Sequence, residues 1–274
     1  MTSTSRTASG IAYDRAGPRG GLPVLLLHAG VADRGMWDRL WSDLTPDHDV
    51  VRLDFRGFGE SQTRPSGALS GLADVIETLD ALGVGTAHVV GASFGAGVAV
   101  ELALTRPSLV ASLLLSGPGG PLLGGLTPDL ESFVGAERAA LAADDLDAAV
   151  EANVVWWVDG PHRGAAVVDP GVRDAVRRMQ RRAFELTEDW DDVEEDELDP
   201  SPLERLSEIH VPTLVLLGAL DLDAIADTAR RVADGIAGAE LVTWPDTAHL
   251  PSMERPDDFH ALLRDWLTRV GTPA

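Results

Sequence analysis

The stretch VVGASFGAGVAVELAL, Val89 to Leu104, places one serine between two glycines, after β-branched residues and before an alanine-rich run. β-branched residues favour a strand and alanine favours a helix, so the stretch predicts a strand, a sharp turn and a helix. Gly91, Ser93 and Gly95 satisfy the G-x-S-x-G pattern, which in this context is typical of a nucleophilic serine on a strained turn. A small residue that merely fits a crowded bend is the alternative.

The rest of the chain supplies the surroundings that such a turn needs. Apolar, β-rich runs alternate with helical patterns, which predicts an α/β fold with a mostly parallel, twisted sheet and helices on both faces. Strands are expected in PVLLLHAG from Pro23, HDVVRLDF from His48, AHVVGASF from Ala87, VASLLLSG from Val110, VPTLVLLG from Val211 and AELVTW from Ala239. Helices are expected at Met36–Leu44, Ser70–Leu82, Ala96–Thr105, Ala224–Ile236 and Asp257–Val270.

The alternation stops between about Gly120 and Pro200, where the sequence has helical fragments and no convincing strand. This pattern predicts a helical cap, residues 120–200, inserted into a core formed by residues 1–119 and 201–274. The acidic run DDVEEDELD, Asp191 to Asp199, is interpreted as a solvated linker that closes the insertion, with a cation site as the alternative.

Composition excludes several classes of function. The formal net charge is −22, which argues against binding to a nucleic acid backbone. The absence of cysteine excludes disulfides, thiolate metal sites and cysteine nucleophiles. The polar N-terminus and the lack of a bilayer-length apolar run predict a cytoplasmic protein without a membrane segment. No cofactor or metal is expected, and homodimer formation is left open.

A serine hydroxyl needs a base, and the base needs a group that orients it. His249 is the candidate base because it follows the last predicted strand, at the edge of the sheet where the serine turn is expected. The remaining histidines outside the loop after the first strand lie at strand starts, in the insertion or in the last helix: His48, His88, His162, His210 and His260. Asp221, in LLGALDLD, is the favoured orienting acid, with Asp223 second and Asp246 third; Asp223 best suits a helix cap.

An oxyanion needs two backbone N–H donors. Phe94, directly after the serine, is one predicted donor, and the loop LLLHAGVADRGMW after the first strand should supply the other, from Gly30 or alternatively Val31. His28 in that loop is interpreted as a residue that orders it.

Taken in order, LLHAG, DFRGFGES, GASFG, GALD and AHLPSMERP resemble the α/β-hydrolase superfamily, and most closely its small bacterial esterases and lactonases of the 3-oxoadipate enol-lactonase type. The resemblance implies a triad of Ser93, Asp221 and His249, and a supporting turn at Arg56–Gly59. Many relatives have His-Gly where this chain has His28-Ala29, so the oxyanion loop departs from the pattern.

By the same resemblance, members of the superfamily with a carboxylate at this turn form an alkyl ester, so the serine implies acyl chemistry on a small-molecule ester or lactone. Trp156, Trp157, Val31 and Trp37 are the candidate pocket residues, and Arg163 and Arg181 are weaker candidates for binding a substrate carboxylate. Two other functions stay open: a C–C bond hydrolase or other non-ester enzyme of the same fold, and a ligand-binding protein without catalysis.

Overall fold

The sheet is the scaffold on which the candidate site is built. The computed structural model describes residues 4–161, 163–164 and 167–271, and within them eight strands form one sheet in the order β1-β2-β4-β3-β5-β6-β7-β8. The strands are β1 Ser5–Arg6, β2 Ala12–Ala16, β3 Val24–Leu27, β4 Val50–Leu53, β5 Ala87–Ala92, β6 Val110–Ser116, β7 Thr213–Gly218 and β8 Glu240–Trp244. β1 and β2 pair antiparallel with their neighbours, and the other strands pair parallel.

Helices cover this sheet. They are α1 Asp38–Leu44, α2 Gly71–Leu82, α3 Phe94–Thr105, α4 Pro128–Ala142, α5 Leu146–Asn153, α6 Pro170–Thr187, α7 Asp223–Gly235, α8 Pro251–Glu254 and α9 Pro256–Gly271. Helix α3 packs on β5 and β6, α7 on β7 and β8, and α1 against α9. The interior strands β3 and β7 are buried along their whole length, because both faces of a parallel sheet must be covered.

The expected α/β fold is therefore confirmed, with differences at several boundaries. The short antiparallel strands β1 and β2 were not predicted. The helix expected from Met36 is a 3-10 turn, Arg34–Trp37, followed by α1; the Asp33 side chain caps the 3-10 turn by accepting a hydrogen bond from the Gly35 amide at 2.7 Å.

Two further helix starts differ from the sequence prediction. Helix α3 begins at Phe94, not Ala96, so it starts directly after Ser93. The capping role suggested for Asp223 is wrong: Leu222 is the N-cap residue of α7, and Asp223 is its first helical residue.

The segment between β6 and β7 is helical, as the sequence indicates. Within its described residues it contains α4, α5, a π-helix at Val154–Asp159 and α6, and no strand longer than a single bridge. That bridge pairs Glu195, from the acidic run, with Leu69 before α2. The division of the chain into a core and a cap domain stays a prediction.

Candidate active site

Ser93 sits on a strained turn between β5 and α3. Its backbone has φ 51° and ψ −115°, in the region that side chains rarely adopt. A Cβ at Gly91 would lie 2.4 Å from the Gly95 oxygen, and a Cβ at Gly95 would lie 2.5 Å from the Leu27 oxygen. Both flanking glycines are therefore required by close backbone approach, and the turn leaves the Ser93 side chain partly exposed.

His249 and Asp221 lie together at the ends of neighbouring strands. Asp221 follows β7 and His249 follows β8, and His249 Nδ1 is 2.8 Å from Asp221 Oδ2. The other oxygen of Asp221 accepts a hydrogen bond from the Leu222 amide at 2.8 Å. His249 is 1% exposed and Asp221 3% exposed, so water competes little for this bond.

The two loops that carry this pair cross closely. The Leu220 amide donates to the Thr247 oxygen at 3.0 Å, and a Cβ at Gly218 would lie 2.0 Å from the Ala248 oxygen. Of the other candidate acids, Asp223 is exposed and Asp246 forms a surface ion pair with Arg255. The structure thus brings Asp221, and neither alternative, to His249.

The segment after β6 links the serine to the histidine. A Cβ at Gly117 would lie 3.2 Å from His249 Nδ1, and a Cβ at Gly119 would lie 3.3 Å from Ser93 Oγ. Ser93 also bonds this segment through its backbone, since its amide donates to the Ser116 oxygen at 2.9 Å. Side chains at Gly117 and Gly119 would crowd the space around both groups. Among the described residues, the Ser93 hydroxyl makes no hydrogen bond.

The predicted oxyanion donors lie next to each other. Phe94 is the first residue of α3, where backbone amides have no partner within the helix and the helix dipole is positive. A Cβ at Gly30 would lie 3.6 Å from Phe94 Cβ, so the two residues are close neighbours. Val31, the alternative donor and a candidate pocket residue, is 7% exposed and belongs to the core.

His28 orders the loop that carries Gly30. Its Nε2 accepts a hydrogen bond from the Phe55 amide at 2.9 Å, so its Nδ1 carries the proton and donates to the Ala29 oxygen at 2.8 Å. Complete burial lowers the pKa of His28 to about 4, which keeps the ring neutral. The His28 oxygen accepts a bond from the Gly95 amide at 3.1 Å and so connects this loop to the serine turn.

The turn at Arg56–Gly59 supports the same loop. Phe55 and Phe58 pack edge-on against the His28 ring at 4.8 and 5.1 Å, and Phe55 also contacts Phe94 at 5.0 Å. Gly57 has φ 87°, and a Cβ there would lie 2.9 Å from Thr187 Cγ2 at the end of α6. The turn therefore connects the oxyanion loop with the helical segment above it.

Trp157, in the π-helix, covers the histidine. Its ring lies 4.5 Å from the His249 ring and packs edge-on against Phe133 of α4 at 5.0 Å. Trp156 is partly buried against the core. Trp37 is fully buried and contacts Phe259, so the structure places it in the core and not on a pocket wall.

Arg163 connects the π-helix to the histidine loop. Its guanidinium donates to the Val158 oxygen at 2.9 Å and to the Asp246 oxygen at 3.0 Å, and it pairs with Glu254. The other oxygen of Glu254 accepts a hydrogen bond from the backbone of the loop that carries His249, at 2.9 Å. These bonds occupy Arg163, so it is not free to bind a substrate carboxylate.

The other arginine and histidine candidates lie elsewhere. Arg181 pairs with Asp147 on the surface. His162 lies outside the described residues. The sequence did not predict that Arg163 connects the π-helix to the loop of His249, because the partners of Arg163 are backbone oxygens and one carboxylate far away along the chain.

Two cavities flank Phe94. One, of about 340 Å³, is lined by Gly30, Arg56, Phe58, Leu69, Phe94, Thr187, Trp190, Asp191, Val193 and Glu195. The other, of about 350 Å³, is lined by Leu69, Gly71, Phe94, Glu101, Gly120, Pro121, Glu195, Asp196 and Glu197. A further cavity, of about 540 Å³, lies beside α2 and includes none of the candidate catalytic residues.

The described residues offer neither a metal-ligand cluster nor a membrane-spanning helix. Among the described residues, no group of three or more His, Asp or Glu side chains is arranged to hold a metal ion. None of the helices in that part of the chain is both long and apolar enough to cross a bilayer.

The sequence is similar to those of known proteins. Residues 24–262 match the profile of the alpha/beta hydrolase family. The chain belongs to this family. A 2-hydroxy-6-oxo-6-phenylhexa-2,4-dienoate hydrolase from Comamonas testosteroni is 26% identical over 94% of this chain and 91% of its own length.

Solved structures agree with this assignment. An N-acyl homoserine lactone degrading enzyme is 27% identical, with a TM-score of 0.75 over 96% of this chain and 100% of that one. The enol-lactonase of Burkholderia xenovorans is 23% identical, with a TM-score of 0.76 over 97% of this chain and 100% of that one, and so shows the shared fold. The resemblance to hydrolases that include esterases and an enol-lactonase is confirmed.

Proposed function

We propose that this hydrolase cleaves a carboxylic ester or lactone through an acyl-enzyme formed on Ser93. The observation that carries the proposal is the buried hydrogen bond of 2.8 Å between His249 and Asp221, at the edge of the sheet where the strained turn presents Ser93. The similarity to a lactone-degrading enzyme supports the choice of substrate class. Cytoplasmic location and homodimer formation stay predictions.

In the proposed reaction, His249 Nε2 removes the proton of Ser93 Oγ as the oxygen attacks the carbonyl carbon. The Asp221 carboxylate holds the proton on Nδ1 and stabilises the imidazolium that forms. The amides of Phe94 and Gly30 donate to the oxyanion, and His249 then protonates the leaving alkoxide. Water hydrolyses the acyl-enzyme by the same steps, with His249 again as the base.

The buried surroundings suit this sequence of steps. Trp157 shields one face of His249 from water, which strengthens the charge interaction between imidazolium and Asp221. The contact between Ser93 and His249 is part of the proposal, and such bonds often tighten only when substrate is bound.

The test is labelling with a fluorophosphonate, followed by intact-mass measurement and peptide mapping. We expect one label on Ser93 and none on the Ser93→Ala variant, together with turnover of p-nitrophenyl acetate or butanoate by the wild type only. Failure of the folded wild type to react would favour a ligand-binding protein without catalysis.

A second candidate is C–C bond hydrolysis with the same residues. The name of the Comamonas testosteroni relative favours it, since that protein is named as a dienoate hydrolase. A vinylogous 1,5-diketone assayed beside the esters separates the two. A kcat/KM for the diketone that exceeds that for every ester would replace the ester proposal.

A further inference from the structure

The cavity of about 350 Å³ beside Phe94 has an unusual set of charges. Four of its lining residues are acidic, Glu101, Glu195, Asp196 and Glu197, and its lining includes no arginine. All lie in the described part of the chain, where these four carboxyl groups form neither an ion pair nor a side-chain hydrogen bond. We refer to this space as the acidic cavity.

Glu101 is the buried member of the set. It is 5% exposed and lies on α3, whose sequence FGAGVAVELALT is otherwise uncharged. A buried carboxylate without a partner is costly, and most such groups in proteins are paired. The Glu101 side chain lines the cavity, so a partner that entered the cavity would meet it.

The acidic run forms the opposite wall. The Leu69 amide donates to the Glu194 oxygen at 2.7 Å, and the Asp196 amide donates to the Leu69 oxygen at 2.8 Å. These bonds hold residues 194–196 against Leu69, which also lines the cavity, as a short strand-like pairing. The prediction of a purely solvated linker is therefore incomplete, because the exposed carboxyl groups of this run also line the acidic cavity.

The other walls are apolar. Leu69, Phe94 and Pro121 contribute carbon surface, and Phe94 directly follows the candidate nucleophile in the chain. A bare metal ion requires converging oxygen ligands, and the described residues contain no such cluster. Carboxylates combined with an aromatic ring and aliphatic carbon suit an organic cation, whose charge is spread over a larger surface.

We propose that the acidic cavity binds an alkylammonium group of the substrate, so that the enzyme prefers esters or lactones that carry a cationic tail. This inference rests on the proposed function, because it assigns the tail of the same substrate whose carbonyl Ser93 attacks. Substrates with a carboxylate tail are expected to be disfavoured at this cavity.

The helix sets the length of the tail. Phe94 and Glu101 are seven residues apart, two turns along α3, which places their Cα atoms about 10 Å apart at a rise of 1.5 Å per residue. An extended acyl chain of about six carbons, together with the contact distance between its terminal ammonium group and the Glu101 carboxylate, spans this distance from the scissile carbonyl. Shorter tails would leave the cation beside Phe94, and longer tails would have to fold.

The ionisation of Glu101 is consistent with this partner. Burial, together with the nearby charges of Asp196 and Glu197, raises the pKa of Glu101 to about 7. Glu195 is the fourth acidic group around the cavity. A bound ammonium would stabilise the charged form of Glu101 and remove part of the repulsion among the four groups.

The experiment compares three p-nitrophenyl esters of equal length: 6-(trimethylammonio)hexanoate, its neutral isostere 7,7-dimethyloctanoate, and the monoester of heptanedioate. We expect kcat/KM to be about tenfold higher for the cationic ester than for its neutral isostere, as expected for one charge pair in a partly dry site. The anionic ester should be the slowest of the three.

Two variants distinguish the effect of the acidic cavity on the substrate preference from the effect of the protein's net charge. Since the net charge of −22 attracts any cation, the preference is compared between Glu101→Gln and Glu185→Gln, a control that makes the same substitution at an exposed position on α6. We expect Glu101→Gln to reduce the preference by at least threefold and Glu185→Gln to leave it unchanged. An equal preference in both variants would overturn the proposal.

Direct binding makes the result independent of catalysis. Calorimetric titration of hexyltrimethylammonium should show binding to the Ser93→Ala protein that weakens when Glu101→Gln is added. If neutral esters are hydrolysed but neither preference nor binding depends on Glu101, this inference fails and the proposed function stands. If no ester is hydrolysed, the proposed function fails, and the calorimetric titration alone then tests whether the acidic cavity binds an alkylammonium group. Binding of Ca²⁺ without the alkylammonium would overturn the inference in favour of a metal site.

Discussion

Replacing Glu101 by glutamine should stabilise the protein, and more at neutral and higher pH than at pH 5. The ordinary pKa of this carboxyl is 4.5, and in the folded protein burial raises it to about 7. The unfolded chain therefore releases this proton near pH 4.5, whereas the folded chain holds it until about pH 7. Folding thus loses stability as the pH rises between these values, and the loss is complete above pH 7.

The magnitude follows from the same two values. Each pKa unit corresponds to about 1.36 kcal/mol, so the full difference would be about 3.4 kcal/mol. The carboxyl group faces a cavity that admits water, which screens part of the penalty. We therefore expect Glu101→Gln to raise the free energy of unfolding by about 2 kcal/mol at pH 8 and by well under half of that at pH 5.

Urea unfolding followed by tryptophan fluorescence at pH 5 and pH 8 measures this difference. At pH 8 a gain of this size should also raise the thermal midpoint by about 5 °C. The control Glu185→Gln removes one exposed negative charge and should change stability by less than about 0.5 kcal/mol at both pH values. An equal gain in stability for Glu101→Gln at pH 5 and pH 8 would refute the reasoning, because a gain that does not depend on pH cannot come from the ionisation of Glu101.

Four further predictions concern the candidate site and its support. Ser93→Ala should lower ester hydrolysis by at least about 10³-fold without loss of the fold, measured by kinetics and circular dichroism; retained turnover would contradict the assigned nucleophile. Asp221→Asn should lower kcat by about 10³- to 10⁴-fold, because the amide no longer stabilises the imidazolium; a steady-state loss below tenfold would argue against the pair. Gly95→Ala should cost at least about 2 kcal/mol in urea unfolding, since its Cβ would lie 2.5 Å from the Leu27 oxygen, and a neutral result would mean that the turn can move. The pKa of His28 is lowered to about 4, so below pH 6.5 this residue binds a proton in the unfolded chain but not in the folded one. As the pH falls from 6.5 to 4, the free energy of unfolding should therefore decrease by about 3 kcal/mol more in the wild type than in His28→Asn, measured by urea unfolding.

Local patterns predicted the fold because they are short-range properties. The apolar runs and the helical spacing specify strands and helices within windows of about ten residues, and their alternation implies a parallel sheet. The strand β1 escaped prediction because it is only two residues long. The strand β2 escaped because it is short, polar in part and held by antiparallel pairing with the distant strand β4. Helix α3 begins two residues earlier than the sequence predicted, because the chain turns sharply at Ser93 and is helical from the next residue onward.

The candidate site was predictable to different degrees. Ser93 stood in a motif whose glycines can be explained from the sequence, and His249 and Asp221 each followed a predicted strand. Glu101 also left a signal, a single acidic residue in an otherwise uncharged helix. That Glu101 lines a cavity depends on the positions of Leu69 and the acidic run, and no local sequence pattern connects these with α3.

The sequence by itself determined the succession of elements, the glycine-flanked serine turn and the strongly acidic charge, because each depends on neighbouring residues or on composition. Only the tertiary structure decided that Asp221 rather than Asp223 or Asp246 meets His249, that Trp157 covers the ring while Trp37 stays in the core, and that the acidic run lines a cavity. These contacts join residues far apart in the chain. The direction of each side chain on a loop, and its distance from a residue on another loop, are not set by the neighbouring sequence. Sheet register and loop crossing set those distances.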